Sequence, residues 1–474
     1  VVLYTLVLTA VVFGSGTAVL RFFGIGITAF RIAGGIVLLV IGLSMLNGTG
    51  SSAHTGTKGE QEHLSQTPDV AFYPMAFPVI AGPGTITTLV ILTGQAKGAA
   101  GYASIAAALL AVSAGLGVVL FLVPMPYVVD SPGPTFNVVG QYRGTPLISI
   151  SGTDPTTGKE VSLDAVHENG DGTGEIRMVT VSEQGGPGSR LNLVQLISAW
   201  FDSTAKITPY DQVYSSDVTG KDVETAQSSM MRSSQSTAEA AALAQLGWTI
   251  PAKVTIAGAV KGSDAASKVK SGDVLVSMTD AEGTVHAIDT PGAVFALVKT
   301  VPVGTTLDLV VERDGKKLTI PVTTMSGGEG TKGSKLGLYL DVAVDLPVTI
   351  SFNLKDVGGP SAGMMFALGI IDRLTPGDLA GGATIAGTGT MSYDGEVGAI
   401  GGIVQKMNGA KRDGATYFLA PSSNCDEVVG HVPDGLRVVS VSTLDEAVKS
   451  VKAIAAGEGA SLPTCEAASA QSGS

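Results

Sequence analysis

Read as a pattern of apolar and polar positions, the chain changes character near residue 130. Before that point no charge falls between Arg31 and Lys58, between Asp69 and Lys97, or between Lys97 and Asp130, and Val1–Leu20 is a further apolar run. A charge at the centre of a membrane helix costs about 2.5–3.5 kcal/mol on insertion scales, so charge-free stretches locate a bilayer better than mean hydropathy does. Each of the three can hold a crossing of ~20 residues, with Ile32–Leu46 the most aliphatic core. Ala81-Gly82-Pro83-Gly84 interrupts the second stretch, which therefore reads as either spanning or re-entrant. Because the chain opens on Val rather than Met, the first run reads as a helix already under way.

Beyond Asp130 the pattern shortens. Leu147–Ser151 and Ile176–Val181 have the texture of strands between Gly, Asp and Asn turns. Asp222–Leu246 holds no Gly or Pro and sets Met231, Ser234, Ala238, Ala241 and Ala242 on one helical face before Gly247 stops it. From Ile250 to Thr324 the segments are short and β-rich, with a short helix in the order Val260–Ala266 then Val269–Leu275, a second near Thr290–Val301 and a hairpin turned at Asp314-Gly315; Gly327–Ser334 is a linker. Val348, Ile350, Phe352 and Leu354 then alternate with Thr349, Ser351 and Asn353 as a half-buried strand. Gly358-Gly359-Pro360 ends it, and Ala362–Ile371 is an apolar run long enough for a buried helix, stopping near Thr375-Pro376. A last helix opens on a capping box from Thr443 to Glu446. Glu466–Ser474 is small and polar and is expected to lack order.

Composition narrows the function classes. Charged residues are 15% of the chain, against roughly 25% in soluble domains, and a net charge of -12 offers no basic footprint for nucleic acid. Two cysteines, Cys425 and Cys465, are too few for a disulfide scaffold or a zinc site. In an oxidising exterior they could pair and fasten the tail. His54 and His63 sit among Gly, Ser, Thr and Lys and read as solvated loop residues, so no metal or other cofactor is expected. Placing Arg21, Arg31 and Lys97 in the cytoplasm, with three crossings between Arg31 and Asp130, puts everything after Asp130 outside.

Ser361 stands where a strand and a glycine-rich turn give way to a helix, and free backbone N–H groups converge at such a point. Those donors can hold the oxyanion of a tetrahedral intermediate. Serine is also among the commonest N-caps, so this segment alone leaves both roles open. Downstream, Gly395–Met407 predicts a strand, a glycine turn and a helix carrying Lys406 on its second turn. A lysine serves as a general base only when desolvated and free of a carboxylate partner, and the residues flanking Lys406 are apolar, amide or small. Gly359-Pro360-Ser361-Ala362-Gly363 also fits the nucleophile elbow of α/β-hydrolases, which would need His431 as its base. His431 falls in a turn between strands and reads as an exposed loop residue. No Gly-x-x-x-x-Gly-Lys-Ser/Thr loop occurs, so ATP is not expected as a partner.

These motifs carry resemblances. Gly34-Gly35 in a leucine-rich helix, a polar loop and then Phe77–Ile86 are similar to the MarC family of multi-pass membrane proteins, over roughly residues 1–97. Val260–Ala266, Val269–Leu275 and the hairpin at Asp314-Gly315 resemble a PDZ domain, which implies a strand edge beside a helix where an extended peptide can add. Gly359–Gly363 and Ile400–Lys406, with 45 positions from Ser361 to Lys406, resemble the serine and lysine motifs of the Lon protease family. The match continues through Gly414–Pro421 and Asn424 and extends back to the helix around Ser229–Leu246. With the PDZ-like insert and the membrane tether, residues from about 118 to 455 look like the YlbL type of PDZ-containing Lon-like protease. The resemblance implies Ser361 as nucleophile, Lys406 as its base and Thr388 as the group that orients the lysine, with Gly358 and Gly359 supporting the turn. Thr390 departs from the acidic residue that Lon has there, and the Lys-Asp-Gly-Pro-Ser run becomes Lys355–Ser361.

The expected fold is multidomain: an α-helical transmembrane segment, then an α/β Lon-type proteolytic domain with a Ser/Lys dyad and an inserted β-rich PDZ domain. Expected boundaries are 1–97 for partial MarC-like helices, 98–125 for a transmembrane anchor, 126–247 and 335–455 for the two parts of the proteolytic domain, 248–326 for the insert and 456–474 for a flexible tail. The expected function is a membrane-tethered, ATP-independent serine endopeptidase acting on polypeptides selected in part by the PDZ groove. It would sit multi-pass in the cell membrane, with the lipid bilayer as a partner and the protease and PDZ domains extracytoplasmic. A homo-oligomer is left open, since Lon-type domains often form rings. Two other readings stand beside it: a MarC-like transporter with an accessory outer domain, and a non-catalytic PDZ scaffold on a tether.

Overall fold

The computed structural model of the chain describes residues 2–24, 26, 29, 83–161, 174–328, 333–354 and 357–466. The expected crossing at Ile32–Leu46, Arg31, His54, His63 and the tail from residue 467 lie outside the described residues. The chain forms two compact units, Val1–Val128 with Arg190–Ser203, and Val129–Ser189 with Thr204–Ser474.

The first unit holds α1 (Val2–Phe22), α2 (Pro83–Gln95), α3 (Gly98–Leu122) and α4 (Leu193–Phe201). Pro83 opens α2, where its missing N–H has no intrahelical partner to lose; the Gly-Pro break read from the sequence therefore starts a helix. Among the described residues, α3 alone is long and apolar enough to cross a membrane. Against it packs α1, with the Phe13 and Tyr102 rings meeting edge-on at 6.1 Å. A reciprocal cap starts α4: the Gln195 N–H donates to Asn192 Oδ1 at 2.9 Å and the Asn192 N–H to Gln195 Oε1 at 3.0 Å.

In the second unit, β1 (Tyr127–Asn137), β2 (Ile148–Thr153), β3 (Glu175–Gln184) and β4 (Lys206–Pro209) lead to the long helix α5 (Gly220–Gln245). A module follows, formed by β5 (Ala252–Ala259), β6 (Val274–Thr279), α6 (Ala293–Thr300), β7 (Thr306–Arg313), β8 (Lys316–Thr323) and β9 (Leu338–Val344). The chain returns through β10 (Val348–Phe352), α7 (Gly363–Leu374), β11 (Thr384–Gly387), the short strands β12 (Thr390–Met391) and β13 (Val397–Gly398), and α8 (Ile403–Arg412). It closes with β14 (Tyr417–Pro421), α9 (Cys425–Val428), β15 (Arg437–Val441) and α10 (Leu444–Ala455).

The main sheet has the order β15-β14-β11-β3-β1-β4, with β15, β14, β11 and β3 parallel and β1 antiparallel to β3. Alternate residues of its strands enter two different cores. Ile176, Met178, Ile385, Leu419 and Val439 pack under α5, α7 and α10, whereas Val179, Ala386, Phe418, Ala420 and Val438 pack against α8 and α9. A sheet covered on both faces is what these near-continuous apolar strands require. The face predicted for α5 is the one that is buried, including Met231, Ser234, Ala238, Ala241 and Ala242. A reciprocal cap between Thr219 and Asp222 begins that helix, and Gly247, at φ +81, ends it in a Schellman motif with Trp248 N–H on Leu243 O.

The module's sheet runs β8-β7-β6-β5-β9. Its hairpin turns at Asp314 (φ 51) and Gly315 (φ 73), both left-handed as a type I′ turn demands. Leu338–Val344 pairs antiparallel with β5 and forms one edge of this sheet. The reason is register: Leu340, Val342 and Val344 of β9 lie opposite Ile256, Val254 and Ala252, and Val254 and Ile256 are buried in the module core.

Candidate active site

Segments distant in sequence meet at the carboxyl end of β11, the end of a parallel strand where α/β sheets commonly present chemistry. The first is the turn into α7. Gly359 sits at φ +87, which a side chain would strain, and its N–H donates to the Gln227 carbonyl of α5 at 3.1 Å. A Cβ on Gly358 would fall 2.6 Å from the Gln227 Cβ. Ser234 Oγ, buried in α5, donates to the Pro360 carbonyl at 2.9 Å. Helix α7 begins at Gly363 and its cap is Ala362, without a side-chain bond. Ser361 therefore lies one residue ahead of the cap, and N-capping does not occupy its hydroxyl. The first N–H groups of α7 follow it directly, and the earliest of these have no partner within a helix.

The second segment is the loop after β11. Gly389 N–H donates to the Ser361 carbonyl at 2.9 Å and Met364 N–H returns a bond to the Gly389 carbonyl at 3.1 Å. Thr388 Oγ1 also donates to the Ser361 carbonyl, at 2.9 Å, and is fully buried.

Helix α8 is the third. It opens at Gly402, whose φ of +69 and contact with Val181 both call for glycine. The approach to it is clamped by Asn424, which accepts the Ile400 N–H and donates to the Ile400 carbonyl, both at 2.9 Å. Gln405 Nε2 ties the first turn to the Thr204 carbonyl at 3.1 Å. Lys406 follows, 4% exposed, with Nζ 3.2 Å from Thr388 Oγ1. Among the described residues no carboxylate pairs with it. Burial lowers its pKa to about 8, because an ammonium there loses hydration that the single bond to Thr388 does not make up.

Thr388 has one hydroxyl proton, and it is committed to the Ser361 carbonyl. Toward Lys406 it can only accept. An uncharged amine at Nζ thus donates to Thr388 and keeps its lone pair free to take a proton. Lys406, Thr388 and the backbone of Ser361 are joined by this chain of two hydrogen bonds.

His431 is exposed, and its backbone N–H bonds the Val428 carbonyl; among the described residues no hydrogen bond links it to Ser361. A disulfide joins Cys425 at the start of α9 to Cys465, and both are buried in the core beneath α8. The module also touches this region: Lys299 of α6 pairs with Asp394 and, at 2.7 Å, with Glu396, while Phe295 stacks on Tyr393 with centroids 6.1 Å apart. Those partners lie between β12 and β13, on the path from Thr388 to α8. Ser234 and Gln227 act here as supports that the motifs do not identify, while Asn424, which the Lon-like match includes without a role, is the clamp on Ile400. The one signal for Ser234 was a hydroxyl on an otherwise alanine-rich buried face. Among the described residues no cluster of His, Cys, Asp or Glu could hold a metal ion.

Comparison with known proteins matches two family models to separate parts of the chain. Residues 1–129 match the model of the MarC family integral membrane protein, and residues 341–453 match the Lon protease (S16) C-terminal proteolytic domain. Among curated relatives, the chain is 39% identical over 80 residues to a UPF0056 membrane protein of Aquifex aeolicus, covering 17% of this chain and 37% of that one. It is 33% identical over 99 residues to the UPF0056 membrane protein YvbG of Bacillus subtilis, covering 21% and 47%. The chain spans less than half the length of these relatives. Among solved structures, the PDZ domain of an SdrC-like protein from Listeria monocytogenes is similar at 17% identity and a TM-score of 0.16, covering 18% of this chain and 85% of that one. A MarC-type membrane segment thus precedes a Lon-type proteolytic domain, in keeping with the YlbL type of architecture.

Proposed function

We propose that the chain is a membrane-tethered serine endopeptidase that cleaves polypeptides with a Ser361/Lys406 dyad and without ATP. The observation that carries this reading is the lysine: buried, with no carboxylate partner among the described residues, its pKa lowered by burial to about 8, and bonded through Thr388 to the carbonyl of Ser361. In the reaction, Ser361 Oγ attacks the carbonyl carbon of the scissile peptide while uncharged Lys406 takes the hydroxyl proton. The oxyanion is held by backbone N–H groups of the turn into α7 that precede Met364, whose own N–H is committed to the Gly389 carbonyl. Collapse breaks the C–N bond, and the Lys406 ammonium gives its proton to the departing amine. Water then attacks the acyl ester and gives a proton to the lysine; the second collapse breaks the ester C–Oγ bond, releases the carboxylic acid product, and the lysine returns the proton to Ser361 Oγ. The module supplies substrate selection, by adding an extended segment to an open edge of its sheet.

The Cys425–Cys465 disulfide supports an oxidising, extracytoplasmic location for this unit. The match to Lon's proteolytic domain favours this reading over transport by the N-terminal helices or a silent scaffold. Cleavage of casein by the full chain in detergent, with and without ATP, is the test. The reading expects nucleotide-independent cleavage that is lost in Ser361→Ala and Lys406→Ala and kept in His431→Ala. Cleavage that needs ATP, or that survives loss of Lys406, refutes it.

A further inference from the structure

The segment Arg190–Ser203 connects β3 to β4 of the proteolytic unit, yet it groups with α1, α2 and α3. Its helix α4 reads LVQLISAWF, nine residues of which seven are apolar, and none of them is buried. No formal charge lies between Arg190 and Asp202. At its end Trp200 is 79% and Phe201 64% exposed. Side chains of this size are seldom left in water at the end of a helix whose termini are capped.

Where α4 is attached says what covers it. Leu191, just ahead of it, accepts a hydrogen bond from the Met125 N–H at 2.8 Å. Met125 follows closely on Leu122, the last residue of α3, the helix apolar enough to cross a bilayer. Further along, α4 itself packs against α3. An apolar, charge-free helix pinned to the emerging end of a crossing helix lies at the level of the lipid headgroups. Trp is enriched there because its ring is apolar and its N–H is polar.

We propose that α4 is an interfacial helix that rests on the bilayer surface through Trp200 and Phe201, giving the chain a second membrane contact from within the proteolytic domain's own sequence. The occupant is lipid, and the contact does not depend on the protease being active.

Tryptophan fluorescence of the full chain in phosphatidylcholine nanodiscs tests this, with and without bromine on the acyl chains. The chain has two tryptophans, and Trp248 is 9% exposed, so the difference between wild type and Trp200→Phe isolates Trp200. The expected result is a blue-shifted Trp200 emission that bromolipid quenches and aqueous iodide does not. Phe201→Ser should weaken the bromolipid quenching while leaving casein cleavage intact. A Trp200 signal quenched by iodide and indifferent to bromolipid overturns the proposal. So does one shielded from both, which would mean that protein, such as a second copy, covers the helix.

Discussion

Replacing Lys406 with methionine should abolish cleavage and stabilise the fold. The side chain keeps its length and apolar character and loses only the amine. With a pKa of about 8 in the folded state against an ordinary value of 10.5, and about 1.4 kcal/mol per pKa unit, the ammonium weakens the folded state by roughly 3 kcal/mol at neutral pH. Against this stands the bond to Thr388, worth about 1 kcal/mol; Thr388 stays satisfied through the Ser361 carbonyl. The net gain is about 2 kcal/mol. Its pH dependence has a definite sign. The folded pKa lies below the unfolded one, so the penalty is full below about 8 and fades as pH rises toward 10.5, the unfolded value. Thermal melting of the full chain in detergent at pH 7 and pH 10 reads this directly. Lys406→Met should melt several degrees above wild type at pH 7 and lose most of that advantage at pH 10. A variant that is less stable at pH 7, or whose difference ignores pH, refutes the claim that burial of the amine costs more than its bond to Thr388 returns.

Other substitutions probe the supports. Thr388→Val should lower kcat about tenfold or more by removing a hydrogen bond to the lysine, with Thr388→Ser restoring most of it and KM for a short peptide unmoved. Gly363→Ala brings a Cβ within 2.9 Å of the Met391 backbone N; it should cost about 1–3 kcal/mol by overpacking, read as a lower urea midpoint, and reduce cleavage by moving α7 off β12. Cys465→Ser opens the loop of sequence separation 40 closed to Cys425. It should cost about 2–4 kcal/mol, seen as a lower Tm that reductant no longer affects.

What was legible in the sequence was local. The buried face of α5, the type I′ hairpin and the alternating strand β10 each follow from spacing that one element enforces by itself. Ser361 and Lys406 stood out because a glycine-rich turn precedes each, and Gly359 and Gly402 in those turns take positive φ. Other features depended on distant partners. Ser361 suits a cap by residue type, yet the Gly359-Pro360 turn, held by Gln227 and Ser234, delays the helix until the cap falls on Ala362. In the capping box at Thr443, Glu446 does receive that side chain's bond on its N–H, but its carboxylate turns to the Ser442 N–H at 2.7 Å. The pairing of β9 with β5 could not be read from the residues of β9, since its partner lies some eighty positions earlier. Burial of Lys406 is likewise tertiary: it needs α8 packed on one face of the sheet and its nitrogen carried to Thr388 at the end of β11.

The central claim is that an uncharged Lys406 activates Ser361, and covalent labelling tests it most directly. The full chain would be treated with a fluorophosphonate across pH 6–10 and the adduct mapped by mass spectrometry. The account predicts an adduct on Ser361 whose rate of formation rises with pH to half its maximum at about 8, and no adduct in Lys406→Met. An adduct on another residue, or labelling of Ser361 that persists without the lysine, would contradict it.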